Sequence, residues 1–209
     1  MSNAILSRAI QMKSSVPPTT KWVAAVVLAG WFTLVVMLGA GGVFATPPGT
    51  PPLPIMIGFA APIIVFFAGF WLSRSFRDFV LAVDLRPTMG LQTWRLFVGL
   101  GYLALYAYGV MPGMFALPAG LGDIAIGVTA PWVLLTLIRR PGFAAGKTFV
   151  VWNALGVLDL VVAMGTAGLS AILAVGVAGE VISNPNAQLP LVLIPEYFVP
   201  ILIMLHAAA

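Results

Sequence analysis

The amino-acid sequence predicts an all-α membrane protein, a bundle of six transmembrane helices with an interfacial amphipathic helix between the second and third. Three observations carry that prediction. The 209 residues are 61% hydrophobic and 8% charged, whereas a soluble domain is about 45–50% apolar and about 25% charged. The mean hydropathy of +1.07 reflects more apolar surface than a globule of this size can hide from water. Finally, apolar stretches near the ~20 residues that a bilayer requires recur along the chain, with the basic residues gathered between alternate ones.

The elements follow in order. Residues 1–20 place Arg8 and Lys13 among Ile5, Leu6, Ala9, Ile10 and Met12 and end at Pro17 and Pro18, which suits a short interfacial segment too polar to span. Residues 21–209 form one transmembrane domain with spans expected at about 22–44, 54–73, 96–112, 120–138, 147–168 and 189–208. Val43-Phe44-Ala45 has the look of a small-residue cleavage site. The apolar stretch from Trp22 to Phe44 is nevertheless much longer than the ~7–15 residues of a secretory signal core, so a retained helix is expected.

Between the second and third spans, Phe76, Phe79, Val80 and Val83 recur at helical spacing while Arg77, Asp78 and Asp84 project elsewhere. That is the pattern of a surface helix, with Arg74 and Asp78 spaced to pair. Pro87 and Gly90 are expected to turn the chain into the third span. The run Leu169–Ile182 is too short to span alone and is interrupted by Gly176, Gly179 and Glu180. It reads as an extension of the fifth helix or as a half-inserted segment; a seventh span would move the C-terminus to the other side.

Orientation rests on Lys and Arg in short loops, which are retained in the cytoplasm. Arg8, Lys13 and Lys21 precede the first span, Arg74, Arg77, Arg86 and Arg95 lie between the second and third, and Arg139, Arg140 and Lys147 between the fourth and fifth. The opposite loops have none, so both termini are expected in the cytoplasm. Trp22, Trp71, Trp94, Trp132 and Trp152 fall mostly towards the same helix ends, as in an aromatic belt. The returning spans share prolines: Leu53-Pro54, Leu117-Pro118 and Leu189-Pro190 at their starts, and Pro62, Pro131, Pro195 and Pro200 inside. Proline is common in first turns and in membrane helices, and nothing else repeats at a fixed period.

Ionisable groups inside hydrocarbon are costly and therefore raise a functional hypothesis. Asp123 in the expected first turn of the fourth span, Asp159 near the middle of the fifth and Glu196 about two turns into the sixth are the candidates. Gly120, Asp123, Gly127 and Ala130 share one helix face, as do Gly156, Asp159, Ala163 and Thr166, flanked by Asn153; such small strips let membrane helices approach closely. In the third span Arg95, Gly99, Tyr102, Tyr106 and Gly109 form a stripe, so Tyr102 and Tyr106 are expected to complete a polar cavity with Asp123, Asn153, Asp159 and Glu196. The ordinary roles are helix capping for Asp123, hydrogen-bonded packing for Asp159, the outer interface for Glu196 and interfacial anchoring for the tyrosines. Pro195 and Pro200 leave the carbonyls of Leu191 and Glu196 without their usual helical donors, an arrangement that transporters use to line polar sites.

His206 lies ten residues beyond Glu196, about 15 Å along a helix, and is expected to stand apart from the acids. No cofactor or metal site is predicted: cysteine is absent, and one histidine is too few for a conventional metal cluster or two axial haem ligands. There is no Walker loop, dinucleotide fingerprint, nucleophile elbow or zincin pattern. Gly120-Leu-Gly-Asp123 lacks the preceding strand and nearby lysine of a phosphate loop. The net charge of +4 comes without a basic run, which argues against nucleic acid.

Phe115-Ala-Leu-Pro-Ala-Gly-Leu-Gly-Asp123-Ile-Ala-Ile-Gly127, Trp152-Asn153-Ala-Leu-Gly156-Val-Leu-Asp159 and the stretch from Leu189 through Pro195 to His206 resemble a group of small polytopic bacterial inner-membrane proteins of no known activity. The resemblance covers mainly the third to sixth spans and implies a multi-pass protein of the bacterial inner (cytoplasmic) membrane, with no functional residues to transfer. The residues themselves suggest a protein that transports or conducts protons, ions or a small polar substrate. The alternatives are a structural or assembly subunit of a larger membrane complex, and a membrane-embedded lipid or isoprenoid enzyme using the acids as bases or metal ligands. The expected partners are the lipid bilayer and, on the assembly reading, another membrane protein or a second copy of the chain.

Overall fold

A computed structural model describes residues 18–173 and 184–209, and among them every regular element is helical. In chain order these are α1 (Pro18–Ala40), α2 (Leu53–Leu72), α3 (Arg74–Leu81), α4 (Leu85–Leu91), a 3-10 turn (Gln92–Trp94), α5 (Arg95–Ala107), α6 (Gly113–Arg139), α7 (Lys147–Leu173), a π turn (Ile194–Phe198) and α8 (Val199–Ala208), with short 3-10 turns at Pro141–Ala145 and Pro185–Ala187. Four helices, α1, α2, α6 and α7, are long and apolar enough to cross a membrane. The N-terminal interfacial segment expected at 1–20 falls almost entirely outside the described residues, as does Glu180. Of the run 169–182, residues through Leu173 continue α7; the remainder, where a half-inserted segment was the alternative, is likewise outside.

The amphipathic helix predicted after the second span is α3. The Ser73 hydroxyl caps it, accepting from the Phe76 amide at 3.2 Å, and the Phe76 ring packs on Gly69 of α2 and on Phe66.

Three helical segments have other bounds than the spans expected there. The third begins at Leu85 rather than near residue 96, because Asp84 caps it by accepting from the Arg86 amide at 3.0 Å. Pro87 therefore sits in a first turn, where its missing N–H costs nothing. Helical geometry then continues through the 3-10 turn to Ala107, which puts Arg95 inside the helical segment instead of in a loop. The fourth begins at Gly113, so Pro118 is internal and Asp123 is ten residues in; capping is not available to it. The last enters through the π turn, and the peptide bond before Pro190 is cis. Glu196 consequently lies in the first turn of that helix rather than the third. The Leu191 carbonyl, expected to be orphaned by Pro195, accepts instead from the Ile194 amide at 3.0 Å.

Packing centres on α6. Its strip of Gly120, Asp123, Gly127 and Ala130 is buried as a unit. A Cβ on Gly99 of α5 would come within 2.5 Å of the Gly120 carbonyl, and one on Gly127 would meet the Leu96 backbone, so both glycines are what lets α5 and α6 touch. Above and below Asp123 lie two apolar clusters, one around Tyr102, Met111, Phe115 and Ala119, the other around Met89, Ile126, Val133, Phe149 and Trp152. Polar side chains occupy the level between them. By contrast, α1 and α2 expose most of their length, with Trp22 73% and Trp71 75% exposed, while Trp152 is buried and donates to the Thr129 hydroxyl at 2.8 Å.

Candidate functional site: a buried ion network at the centre of the bundle

Arg95 is 1% exposed and reaches three helices from the junction of the 3-10 turn and α5. Its Nε donates to Asp123 Oδ1 on α6 at 2.7 Å, and its Nη2 donates to Asp159 Oδ2 on α7. Nη1 turns towards α8 and α7, with the His206 Nε2 and the Gly156 carbonyl each at 3.5 Å. One planar guanidinium thus ties together α5, α6, α7 and α8. Arg suits this role because its donors form a rigid fork and its charge is permanent.

The state of His206 follows from its neighbours. Asn153 Nδ2 donates to the Phe149 carbonyl at 2.9 Å, which turns Asn153 Oδ1 to face His206 Nδ1, also at 2.9 Å. An amide oxygen only accepts, so Nδ1 carries the proton and donates; Nε2, facing the Arg95 donor, presents its lone pair. His206 is therefore the neutral Nδ1–H tautomer. Counted as ionised, one guanidinium and two carboxylates sum to −1, one positive charge short of balance.

Glycines make room for these groups. A Cβ on Gly156 would lie 2.5 Å from the His206 Cε1 and Nε2, and one on Gly122 would overlap the Asp159 carboxylate. Both therefore act as seats for the polar side chain opposite. Among the described residues no set of His, Asp and Glu converges as metal ligands; the guanidinium stands at the centre that Asp123, Asp159 and His206 share.

A cleft leads to this level from the bundle end formed by the starts of α2 and α6, the end of α7 and the π turn. Its walls are apolar, including Ile55, Leu160, Met164 and Leu202, with Trp94, Tyr102, Phe115 and Phe198 supplying aromatic faces. Asp123 and Arg95 line its inner part. Asn184 and Asn186 line it at the end where the helices begin.

Of the residues expected in one cavity, the structure brings together Asp123, Asn153 and Asp159. Tyr102 lines the cleft and meets the Phe115 ring edge-on at 4.9 Å. Tyr106 is 42% exposed and has no place in the network, because α5 turns it away from α6. Glu196 is buried at 1% exposure, but on another side of its helix: its carboxylate lies on Gly58 of α2, close to the Phe44 ring. It makes no contact with the aspartates. The expectation that His206 stands apart from the acids is corrected, since it shares Arg95 with both. Arg95, which the charge pattern places in a loop, is instead buried at the centre of the network, and its stripe with Gly99 and Tyr102 is the signal in the sequence that points there.

Fold and site together define a helical protein, rich in segments able to cross a membrane, whose central helices are joined by a buried network of one guanidinium, two carboxyl groups and an imidazole. The chain belongs to the family described as a domain of unknown function, DUF8737, whose model matches residues 52–209. All of the network lies within the matched region, and α1 lies before it. No curated protein and no solved structure matches the chain.

Proposed function

We propose that this chain is a proton-linked transporter of the bacterial inner membrane that crosses it six times, with both termini in the cytoplasm. On this reading the helical segment from Leu85 to Ala107 and the final helix supply the two passes beyond α1, α2, α6 and α7. Lys21, Arg74, Arg77, Arg86, Arg139, Arg140 and Lys147 lie at one end of the bundle, which makes that end cytoplasmic. Because the chain has no native cysteine, the topology is testable with single cysteines at Thr50 and Gly142. An impermeant maleimide added to intact cells labels the first and spares the second; the reverse pattern overturns the orientation.

The observation that carries the transport reading is the charge balance. Two carboxylates against one guanidinium leave a negative charge in a low-dielectric interior, where an uncompensated ion is strongly disfavoured. The site therefore takes up a compensating positive species, and the cleft gives that species a route in from one face. Alternation between a proton and a cationic substrate at Asp123 and Asp159 is the resulting cycle. In proteoliposomes loaded with a pH-sensitive dye and tetramethylammonium, dilution into buffer free of that cation drives proton entry through the wild type. Asp159→Asn, which removes the surplus charge and leaves the Arg95–Asp123 pair, abolishes it. Equal fluxes for the variant and for empty vesicles, with wild type no faster than either, would refute the proposal.

A further inference from the structure

We infer that the cleft binds an amphipathic ammonium, a molecule with an apolar or aromatic body and a cationic amino head. This identifies the substrate class and rests on the transport reading above. Three independent features converge on it. At the inner part of the cleft two carboxyl groups share one guanidinium, one positive charge short of balance when both are ionised, and Asp123 is the carboxyl that reaches the lining. Nearer the mouth, Asn186 is 6% exposed, lines the same cleft, and its Oδ1 is buried with no hydrogen-bond partner among the described residues. A buried acceptor left unpaired costs free energy that a donor-bearing ligand recovers. The walls supply the third feature: Trp94 and Phe198 pack at 4.8 Å and Tyr102 and Phe115 at 4.9 Å, giving aromatic faces that accept both an apolar body and a cation.

The polarity of the ligand follows. A carboxylate or phosphate would face the surplus negative charge and an amide oxygen that cannot donate. A neutral alcohol would satisfy Asn186 and leave the network uncompensated. An ammonium answers both, donating to the unpaired oxygen or to Asp123 and supplying the missing positive charge. The proton and the ammonium then compete for one charge vacancy, which couples their movements without any further group.

Three probes with nearly the same body separate these cases: 2-phenylethylamine, 2-phenylethanol and phenylacetate. Binding to the purified full-length protein is followed by tryptophan emission, with Trp94 in the wall as reporter. The amine binds at least about tenfold more tightly than the alcohol, the difference expected of one recovered polar interaction, and the acid does not bind. Asn186→Leu weakens the amine and the alcohol alike, about five- to tenfold, whereas Asp123→Asn weakens the amine alone. Ala167→Phe, which fills the cleft away from the ion network, abolishes binding of both and serves where Asp123→Asn fails to fold. Equal affinities for amine and alcohol, tighter binding of the acid, or an amine affinity indifferent to both variants would overturn the inference. The vesicle assay is separate: amine binding without proton flux would leave the ligand class standing and remove the transport reading, and proton flux without amine selectivity the converse.

Discussion

Replacing Arg95 by glutamine tests the network most directly. The substitution keeps a polar though shorter side chain, but it removes the only cation among the buried groups of the described residues and leaves Asp123 and Asp159 without the partner that each contacts through a separate nitrogen. Removing one partner of a buried ion pair costs about 3–5 kcal/mol, because the cost is that of the stranded charge. At roughly 2–4 °C per kcal/mol for a chain of this size, the apparent Tm falls by about 6–20 °C. The assay is thermal unfolding of the detergent-purified protein, followed by tryptophan emission, with a gel-filtration check that the fold is retained at low temperature. The decisive comparison is the triple variant Arg95→Gln, Asp123→Asn, Asp159→Asn. If stranded charge is the cause, removing the charges recovers most of the loss even though the salt bridges remain absent. A single variant as stable as wild type, or a triple variant no more stable than the single, would refute the electrostatic account and leave shape alone as the role of Arg95.

Four further outcomes are expected. Asp159→Asn has a Tm within a few degrees of wild type, since it removes the surplus charge and leaves the Arg95–Asp123 pair at 2.7 Å intact; a loss as large as that of Arg95→Gln in the same melting assay would show that the network is not net-negative. Gly156→Ala lowers stability despite the gain of about 1 kcal/mol that alanine ordinarily brings to a helix interior, because its Cβ would lie 2.5 Å from His206; pairing it with His206→Ala relieves the clash, which a double-mutant melting cycle reads out. Gly58→Ala is destabilising through a different contact, the Glu196 carboxylate, and Glu196→Ala rescues it in the same kind of cycle. His206→Leu leaves Asn153 Oδ1 without its donor, a loss of about 1–3 kcal/mol, visible as a lower midpoint in thermal unfolding.

The parts of the structure legible in the sequence are those set by local pattern. The apolar stretches locate α1, α2 and α7 to within a few residues, and the spacing of Phe76, Phe79 and Val80 locates α3. The small-residue strip through Gly120, Asp123, Gly127 and Ala130 correctly places Asp123 on a packed face. What escaped depends on tertiary partners or on competing signals of equal strength. Arg95 lies in a run whose other basic residues are interfacial, and only the two aspartates on distant helices make its burial tolerable. Pro118 reads equally well as the start of a helix or as its interior, and the structure takes the second option, which moves Asp123 away from the helix end. The placement of His206 fails for a related reason: measuring along one helix from Glu196 says how far apart the two lie, and nothing about Asn153 and Arg95 approaching from other helices.

The buried guanidinium also imposes an order on biogenesis. Ribosomes deliver the chain from its N-terminus, so the segment carrying Arg95 reaches the membrane before either aspartate has been made. On an insertion scale a lone arginine at a helix centre costs about 2.5–3.5 kcal/mol, a debt that stands until Asp123 arrives 28 residues later. On the six-pass reading, the α5 and α6 segments therefore partition into lipid together as a hairpin, their glycine contact at Gly99 and Gly120 forming as they enter. Asp159 joins next, and His206 on α8 completes the network last. On the six-pass reading, a chain truncated before α8 would reach the bilayer with its polar core still open.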